Sequence, residues 1–310
     1  MIRVTLAHSA EYYLLRSLWA ASSRIPPSGL LPAFEVLGAL LFRLGLRRDV
    51  VMTNLRTALG ASLPERELRR IAAGCYARLG RAIAEIVRSD ELIRTGKVAF
   101  DVSGLEFLDA ALRSGRGVVV LTAHLGNFLL AGFHLQNLGY RLVYVAKRMK
   151  NPRVDRDIQK IYAMRGNAVI PIRGFRNDPG GGLRIYRALK NGEAVVVLND
   201  QDAGPDGYQG RFFGIPTSIP SGPAAFACRA GAAVLTGFVT GEGGKIRVEI
   251  QSPIDVSPAR SEEEAVARIL DEYSTRLEEK VRECPEQYFW LHKKWKSSPG
   301  ARSIYDGGAR

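Results

Sequence analysis

The sequence predicts an α/β fold in which helices flank a mixed, largely parallel sheet. Short runs rich in β-branched residues begin at about residue 97, and such runs are typical of strands. Helical segments alternate with the first four of these runs, as they do in parallel sheets covered by helices. Residues 1–95 have helical periodicity instead, so we expect a helical N-terminal subdomain there and an α/β domain over 96–310.

Six runs are expected to be strands, and five segments of the α/β domain are expected to be helices. The strand runs are "GVVVLTA", "RLVYVAK", "NAVIPI", "EAVVVLND", "AAVLTGFVTG" and "KIRVEIQ". The helical segments are 103–113, 126–138, 151–165, 181–191 and 261–284. In the N-terminal part, "LPERELRRIAAGCYARLGRAIAEIVR" begins with Pro and Glu and repeats apolar residues at helical spacing.

The chain is strongly basic, and this charge favours an anionic partner. The 44 Lys and Arg residues exceed the 31 Asp and Glu residues, which gives a net charge of +13. Such a surface attracts nucleic acid, anionic membrane or a phosphate-bearing carrier. Basic residues are dense between Arg141 and Arg176, but no nucleic-acid-binding motif or stacking aromatic pattern accompanies them. We therefore expect an anionic membrane surface or carrier as partner, and no nucleic acid.

Cysteine usage and hydropathy limit the cellular setting. The three cysteines are widely spaced, which excludes a disulfide framework, offers no paired metal ligands and favours a reducing compartment. The start of the chain lacks the sustained apolar run of a cleavable signal peptide. The segment "SGLLPAFEVLGALLFRLGLRRDV" is interrupted by Glu35 and Arg43. We expect it to be an amphipathic helix that packs on the body or lies in a membrane interface.

Polar residues follow two of the predicted strands. His124 comes directly after "VVVLTA", and Asn199, Asp200, Gln201 and Asp202 come directly after "AVVVL". Ligands of open α/β sheets bind beyond the carboxyl ends of the strands, where a neutral imidazole can act as a general base. The pattern therefore indicates a general-base site. The alternative is that His124 caps the next helix and the acids only end a strand.

Five blocks in order resemble the bacterial lipid A late acyltransferases, the lauroyl/myristoyl transferase family that includes phosphatidylinositol mannoside acyltransferases. The blocks are "RRDVVMTNLRTALG", "TAHLGNF", "VAKRMKNPRVDRDIQKIYAMRGNAVIP", "VLNDQDAGPDGYQGRFFGIPTSIPSGPAAFACRAGAAV" and "CPEQYFWLHKKWK". The resemblance implies a glycerolipid-acyltransferase-like fold. It also implies transfer of a fatty acyl chain from an acyl-carrier-protein or coenzyme A thioester to a hydroxyl of a membrane lipid or glycolipid, an amine being the other acceptor left open.

The resemblance further implies a peripheral protein on the cytoplasmic face of the bacterial inner membrane, with a membrane-proximal N-terminal subdomain. The thioester is then the co-substrate, and no cofactor or metal is expected. A base that acts on the acceptor needs no covalent enzyme intermediate, which agrees with the absence of a persuasive Ser or Cys nucleophile in the sequence.

One motif position departs from the family. The family pattern is His-x-x-x-x-Asp/Glu, with the His as base, but Leu129 stands where the acid belongs. Three explanations remain open: Asp200 supplies the carboxylate, a different acceptor needs less help, or catalysis is weakened. A second hypothesis follows from Leu129, namely a non-catalytic lipid- or acyl-carrier-binding protein on the same fold.

Eight further residues are candidates for substrate binding. They are Asn127, Arg148, Arg165, Gln201, Asp202, Phe213, Gly214 and Pro216. Arg148 and Arg165 match family positions that bind substrate, and guanidinium groups suit phosphate or a developing oxyanion. The stretch "GRFFGIPTSIPSG" is expected to be a loop that either shapes a pocket and acyl channel or anchors in the core.

The last block combines aromatic residues with cations. Trp290 and Trp295 flank His292 and three lysines, and amphipathic aromatics beside cations suit a membrane interface. The alternative places Trp290 in the core. We expect His292 to be structural.

Overall fold

The computed structural model describes residues 5–164, 168–172, 178–298 and 304–305. Within these residues the chain begins with five helices and then alternates strands and helices as far as Leu198, after which strands also follow one another directly. The first helices are α1 (Leu6–Ser22), α2 (Pro27–Arg43), α3 (Arg48–Leu59), α4 (Glu65–Val87) and α5 (Ser89–Arg94). The later helices are α6 (Leu105–Arg113), α7 (Phe128–Asn137), α8 (Pro152–Met164), α9 (Pro179–Lys190), α10 (Gly222–Ala230) and α11 (Glu262–Glu283).

The strands form one large sheet and one hairpin. They are β1 (Ala99–Ser103), β2 (Val118–Thr122), β3 (Leu142–Lys147), β4 (Ala168–Ile172), β5 (Ala194–Leu198), β6 (Tyr208–Phe212), β7 (Ile215–Ile219), β8 (Ala233–Glu242) and β9 (Lys245–Ile250). Seven of them make a sheet in the order β1-β9-β8-β2-β5-β3-β4. Each neighbouring pair is parallel except β8 and β9. The predicted fold class is therefore confirmed.

Two local predictions were wrong or incomplete. The "AFDVS" run of β1 forms an edge strand that was not expected, because its five residues alternate in burial and contain no β-branched run. The stretch expected as a loop contains β6 and β7, which pair through a two-residue turn. Phe213 and Gly214 have φ angles of 55° and 72° there, the left-handed backbone that tight hairpins require.

The N-terminal helices pack on the sheet through a shared hydrophobic core. Leu55 of α3 and Ile71 of α4 are buried in the same cluster as Val119 of β2. The predicted boundary at 95/96 falls between α5 and β1, and the division into two domains stays a prediction. Among the described helices, none is long and apolar enough to cross a bilayer singly, although α2 and α3, which meet at 87°, pass that test as a pair.

The helices α2 and α4 cross where each contributes a glycine. A Cβ on Gly38 would lie 2.1 Å from the Tyr76 carbonyl oxygen, and one on Gly80 would lie 2.0 Å from the Phe34 carbonyl oxygen. Both distances are far inside van der Waals contact, and the obstructing atoms belong to the backbone. The crossing therefore depends on the missing side chains, since no rotamer change would relieve the overlap.

We expect Gly80→Ala to lower the free energy of unfolding by about 1–3 kcal/mol, the usual cost of overpacking. Chemical denaturation would measure the loss. Gly29→Ala is the matched control because it lies on α2, where its Cβ would meet Ile25 at an ordinary 3.6 Å. That change should be neutral or stabilising. Equal losses in both variants would contradict the close crossing.

Candidate active site

The pairing of β2 with β5 brings His124 and Asp200 together. The parallel register places Thr122 beside Leu198, the last residues of the two strands, and each site residue follows two positions after its strand ends. The Asn199 N–H continues the ladder by donating to the Thr122 carbonyl at 2.9 Å. Because paired strands lie about 4.8 Å apart, the two side chains meet. His124 Nδ1 lies 2.8 Å from Asp200 Oδ1.

The turn between β2 and α7 explains the "HLGN" sequence. Gly126 has a φ of 59°, and a Cβ there would lie 2.4 Å from the Val239 carbonyl oxygen, so glycine is required on both counts. Asn127 is the N-cap of α7, since its Oδ1 accepts from the Leu130 N–H at 3.2 Å. The neighbours of His124 thus fix the turn while its imidazole faces a cavity.

The segment after α11 holds this turn in place. The Gly126 N–H donates to the Gln287 carbonyl at 3.0 Å, and the Phe289 N–H donates to the His124 carbonyl at 2.9 Å. Leu125 forms an isolated antiparallel bridge with Tyr288. The C-terminal segment therefore positions the backbone of His124.

The same segment holds the loop that follows β5. The buried Lys294 ammonium donates to the Asp200 carbonyl oxygen at 2.6 Å. The Asp202 carboxylate accepts from the Ser297 N–H and the Ser297 hydroxyl, each at 2.9 Å. The Asp202 N–H donates to His292 Nε2 at 3.2 Å. One stretch of chain therefore braces both members of the His–Asp pair.

The protonation states follow from burial and charge. Burial lowers the pKa of His124, but the charge and hydrogen bond of Asp200 outweigh it, so the pKa is raised above 6.5. Burial raises the pKa of Asp200, but His124 and Lys294 outweigh it and lower that pKa below 3.8. The ionised carboxylate can only accept a hydrogen bond, so Nδ1 carries the proton. Neutral His124 then has Nε2 unprotonated.

His124 lies on the wall of a cavity of about 460 Å³. The cavity lies against α4, the turn into α7, the β8–β9 hairpin and the segment after α11. Leu129, at the position where the family motif has an acid, lines the same cavity. The imidazole is therefore paired with Asp200, which follows β5. The apolar side chain of Leu129 lies at the α7 position where the family motif has an acid.

A charged network forms another wall of this cavity. Arg81 contacts Glu35 of α2 through Nη1 and Glu85 of α4 through Nε, each at 2.8 Å. Glu85 also accepts from Asn127 Nδ2 at 2.9 Å. The three charged residues were missed in the sequence because Arg81 and Glu85 have the spacing of an ordinary exposed helix pair. Only the crossing of α2 over α4 brings them to the site.

The structure places the substrate-binding candidates in different settings. The Gln201 side-chain amide lies 3.5 Å from His124 Nε2, a contact too long to occupy that nitrogen firmly. Asn127 lines the cavity, but its amide is used for capping and for Glu85. The Asp202 side chain has 0% exposure and binds the C-terminal segment, and its contact with substrate stays a prediction.

Of the two arginine candidates, the structure describes Arg148, which is not among the residues that line the cavity. Arg148 is exposed beyond β3, and its N–H donates to the Ile172 carbonyl at 3.1 Å. Arg165 lies outside the described residues. Their binding to substrate stays a prediction.

The β6–β7 turn lies away from the cavity wall. Phe213 is buried and packs edge-on against Phe212, with the Arg282 guanidinium 4.4 Å from its ring centre. Gly214 completes the turn and Pro216 pairs with Arg211 across the hairpin. The structure thus gives Phe213 the core-anchor position that was the alternative to an acyl channel.

The tryptophans of the last block lie in the core. Trp290 and Trp295 are fully buried, which corrects the expectation of a membrane-interface role. Burial and Lys296 lower the pKa of His292 to about 4, and its Nε2 accepts from Asp202. His292 is therefore neutral and structural, as expected. Among the described residues, no cluster of three or more His, Cys, Asp or Glu side chains could hold a metal ion.

The His–Asp pair predicts a titration that can be measured without substrate. We expect the His124 imidazole signal in an NMR titration to have its midpoint above pH 6.5, since the Asp200 carboxylate favours the charged ring. In Asp200→Asn only the burial penalty remains, so the midpoint should fall below that of the wild type. His134 is the internal control because burial alone lowers its pKa, and its midpoint should not move. An unchanged His124 midpoint would contradict the pairing.

Comparison with known proteins identifies the family of the chain. The family described as bacterial lipid A biosynthesis acyltransferase matches residues 3–297 of the chain. The chain is 25% identical to a phosphatidylinositol mannoside acyltransferase of Mycobacterium tuberculosis over 94% of this chain and 91% of that protein. It is 27% identical to the lipid A biosynthesis palmitoleoyltransferase of Escherichia coli over 84% of this chain and 82% of that protein.

A solved structure gives a weaker likeness. The 1-acyl-sn-glycerophosphate acyltransferase of Thermotoga maritima aligns with a TM-score of 0.38 and 19% identity over 81% of this chain and 98% of that chain. Because the bacterial lipid A biosynthesis acyltransferase family matches nearly the whole length, the chain belongs to that family, and the predicted enzyme class, an acyltransferase, is confirmed.

Proposed function

We propose that the protein transfers a fatty acyl chain from an acyl-carrier-protein or coenzyme A thioester to a hydroxyl of a membrane lipid or glycolipid, with His124 as general base. The observation that carries this proposal is the His124–Asp200 pair, joined at 2.8 Å on the wall of a cavity of about 460 Å³. The pair supplies a neutral imidazole whose Nε2 can accept a proton.

The proposed reaction proceeds in one displacement. Nε2 of His124 takes the proton of the acceptor hydroxyl while its oxygen attacks the thioester carbonyl carbon. The ionised Asp200 stabilises the imidazolium that forms. The C–S bond then breaks, the thiolate leaves, and the imidazolium returns the proton to it. Atoms and protons balance without a covalent enzyme intermediate.

The acceptor class follows from the relatives and from the position of α2. The named relatives are acyltransferases of phosphatidylinositol mannoside and of lipid A. In this chain Glu35 of α2 lines the cavity, while the next residue, Val36, is 69% exposed. A lipid embedded in a bilayer below α2 could therefore present its polar headgroup to the cavity. We propose a membrane lipid or glycolipid acceptor on this basis.

The non-catalytic alternative loses its main support. It was motivated by Leu129, which leaves the family motif without its acid. Asp200 now stands within hydrogen-bond distance of the imidazole and has the charge that the missing acid would supply. The same contact favours Asp200 over the other two explanations of Leu129.

The purified protein, incubated with an acyl thioester and a lipid extract, should release free thiol in step with acylated lipid. Coenzyme A and acyl-carrier-protein thioesters are tested in parallel, and mass spectrometry identifies the product. His124→Ala should abolish both signals because it removes the proposed base. Thiol release that persists in this variant would contradict the proposed base.

The same assay tests the acid. Asp200→Asn should reduce the rate on the order of a hundred- to ten-thousand-fold, because the amide cannot stabilise the imidazolium. Leu129→Glu should bring no gain, since the role is already filled. Near-normal activity in Asp200→Asn together with a more active Leu129→Glu would mean that the site lacks its acid.

We also propose that the protein binds the cytoplasmic face of the bacterial inner membrane peripherally. Large apolar side chains are exposed along α1 and α2, including Leu14 at 61%, Leu18 at 55%, Val36 at 69% and Leu40 at 46%. The net charge of +13 adds attraction to anionic headgroups. Apolar exposure of this extent and basic charge together suit interfacial binding.

Sedimentation with phosphatidylglycerol vesicles should be strong at low salt and partly lost at high salt, because salt screens surface charge. Val36→Asp with Leu40→Asp should weaken it more than salt does. The control pair is Leu138→Asp with Leu183→Asp, which are comparably exposed at 50% and 48% but lie elsewhere on the fold. Equal losses in the two pairs would contradict a membrane face at α2.

A further inference from the structure

The site contains a buried cation that the proposed reaction does not use. Lys294 is 4% exposed, and its ammonium donates to the Asp200 carbonyl oxygen at 2.6 Å. The ammonium also lies 4.9 Å from the centre of the Phe212 ring, a cation–π distance. Burying a lysine is costly unless its charge is compensated. The compensation here comes from the negative charges of Asp200 and Asp202.

Among the described titratable groups around the His124–Asp200 pair, Lys294 is the cation that acts on Asp200. Tyr273 and Tyr288 are neutral, because burial raises their pKa values well above 10 and Asp200 adds to the rise. His292 is neutral, with a pKa lowered to about 4. The Asp202 carboxylate is tied to the C-terminal segment, where the Lys296 ammonium also lies 3.9 Å from it.

The Asp200 carboxylate and the Lys294 ammonium have opposite effects on the protonation of His124. The carboxylate favours the protonated imidazole, whereas a nearby ammonium opposes it and keeps the carboxylate ionised. Because the two site groups are coupled, the cation lowers the proton affinity of the pair as a whole. Burial lowers the pKa of Lys294 to about 8, so the lysine is charged below that pH.

We propose that Lys294 is a positioning residue for the pair: it fixes the Asp200 backbone and, by its positive charge, keeps His124 free of its proton at a lower pH than the carboxylate alone would allow. The inference rests on the proposed role of His124 as base. Lys294 touches neither substrate nor the reacting atoms in this scheme. Its effect reaches the acceptor through Asp200 and then His124.

The test is the His124 NMR titration, combined with the pH profile of kcat/KM, in Lys294→Met. Removing the cation should raise the His124 midpoint by on the order of one pH unit. Activity should then fall about tenfold below that midpoint and recover at higher pH. A residue that is only structural would lower activity equally at every pH.

Two variants separate charge from packing. Lys294→Arg keeps the charge and should restore the wild-type midpoint. Lys293→Met is the matched control, because it removes the same charge from the neighbouring exposed residue and should leave the midpoint in place. An unchanged midpoint in Lys294→Met, or an equal rise in Lys293→Met, would overturn the proposal.

If Lys294→Met does not fold, the His124 titration of the wild-type protein still tests the proposal. Its His124 signal should show a second, smaller step near the pKa of Lys294, about 8, as the ammonium loses its charge. A single-step titration would count against the proposal. These titrations do not depend on catalytic turnover. Persistent activity in His124→Ala would therefore contradict the role of His124 as base, while the titrations would still test whether Lys294 affects the pKa of His124.

Discussion

The buried negative charge of Asp200 is the constraint around which this site is arranged. Its side chain is 2% exposed, so water cannot stabilise the carboxylate and the protein must do so. His124 provides a hydrogen bond on one side, and the Lys294 ammonium provides charge on the other. A buried ion pair of this kind contributes little to stability once its desolvation is counted. Its value lies in holding an imidazole in one tautomer and one orientation.

The surrounding chain is arranged so that neither member of the pair can turn away. The β2–β5 register fixes where the two side chains begin, and the segment after α11 fixes the backbone beyond both strands. That segment is itself anchored, since Asn54 of α3 donates to the carbonyl oxygens of Trp290 and His292, each at 2.7 Å. The helical N-terminal region therefore supports the site through Asn54 and also supplies a wall of the cavity through α4.

Much of the sheet could be predicted from the sequence because its central strands are continuous apolar runs. The pairing of β2 with β5 could not be predicted, because runs of valine do not specify which residues lie opposite each other. His124 and Asp200 were both identified because they follow such runs, but their contact depends on a match of two residues beyond each strand. The lysines of "HKKWK" are equivalent in sequence, and only the packing of both tryptophans shows that Lys294 is the buried one. Likewise, Arg81 has the spacing of an exposed helix pair until α2 crosses it.

Leu129 is compatible with a working base once Asp200 is in place. Its side chain lines the cavity on the first turn of α7. A carboxylate at that position would add a second negative charge near an imidazole that already has one. Two carboxylates sharing one partner repel each other, and one of them tends to take up the proton. With the acid delivered from the loop after β5, an apolar residue at 129 leaves Asp200 as the carboxylate that is paired with the imidazole.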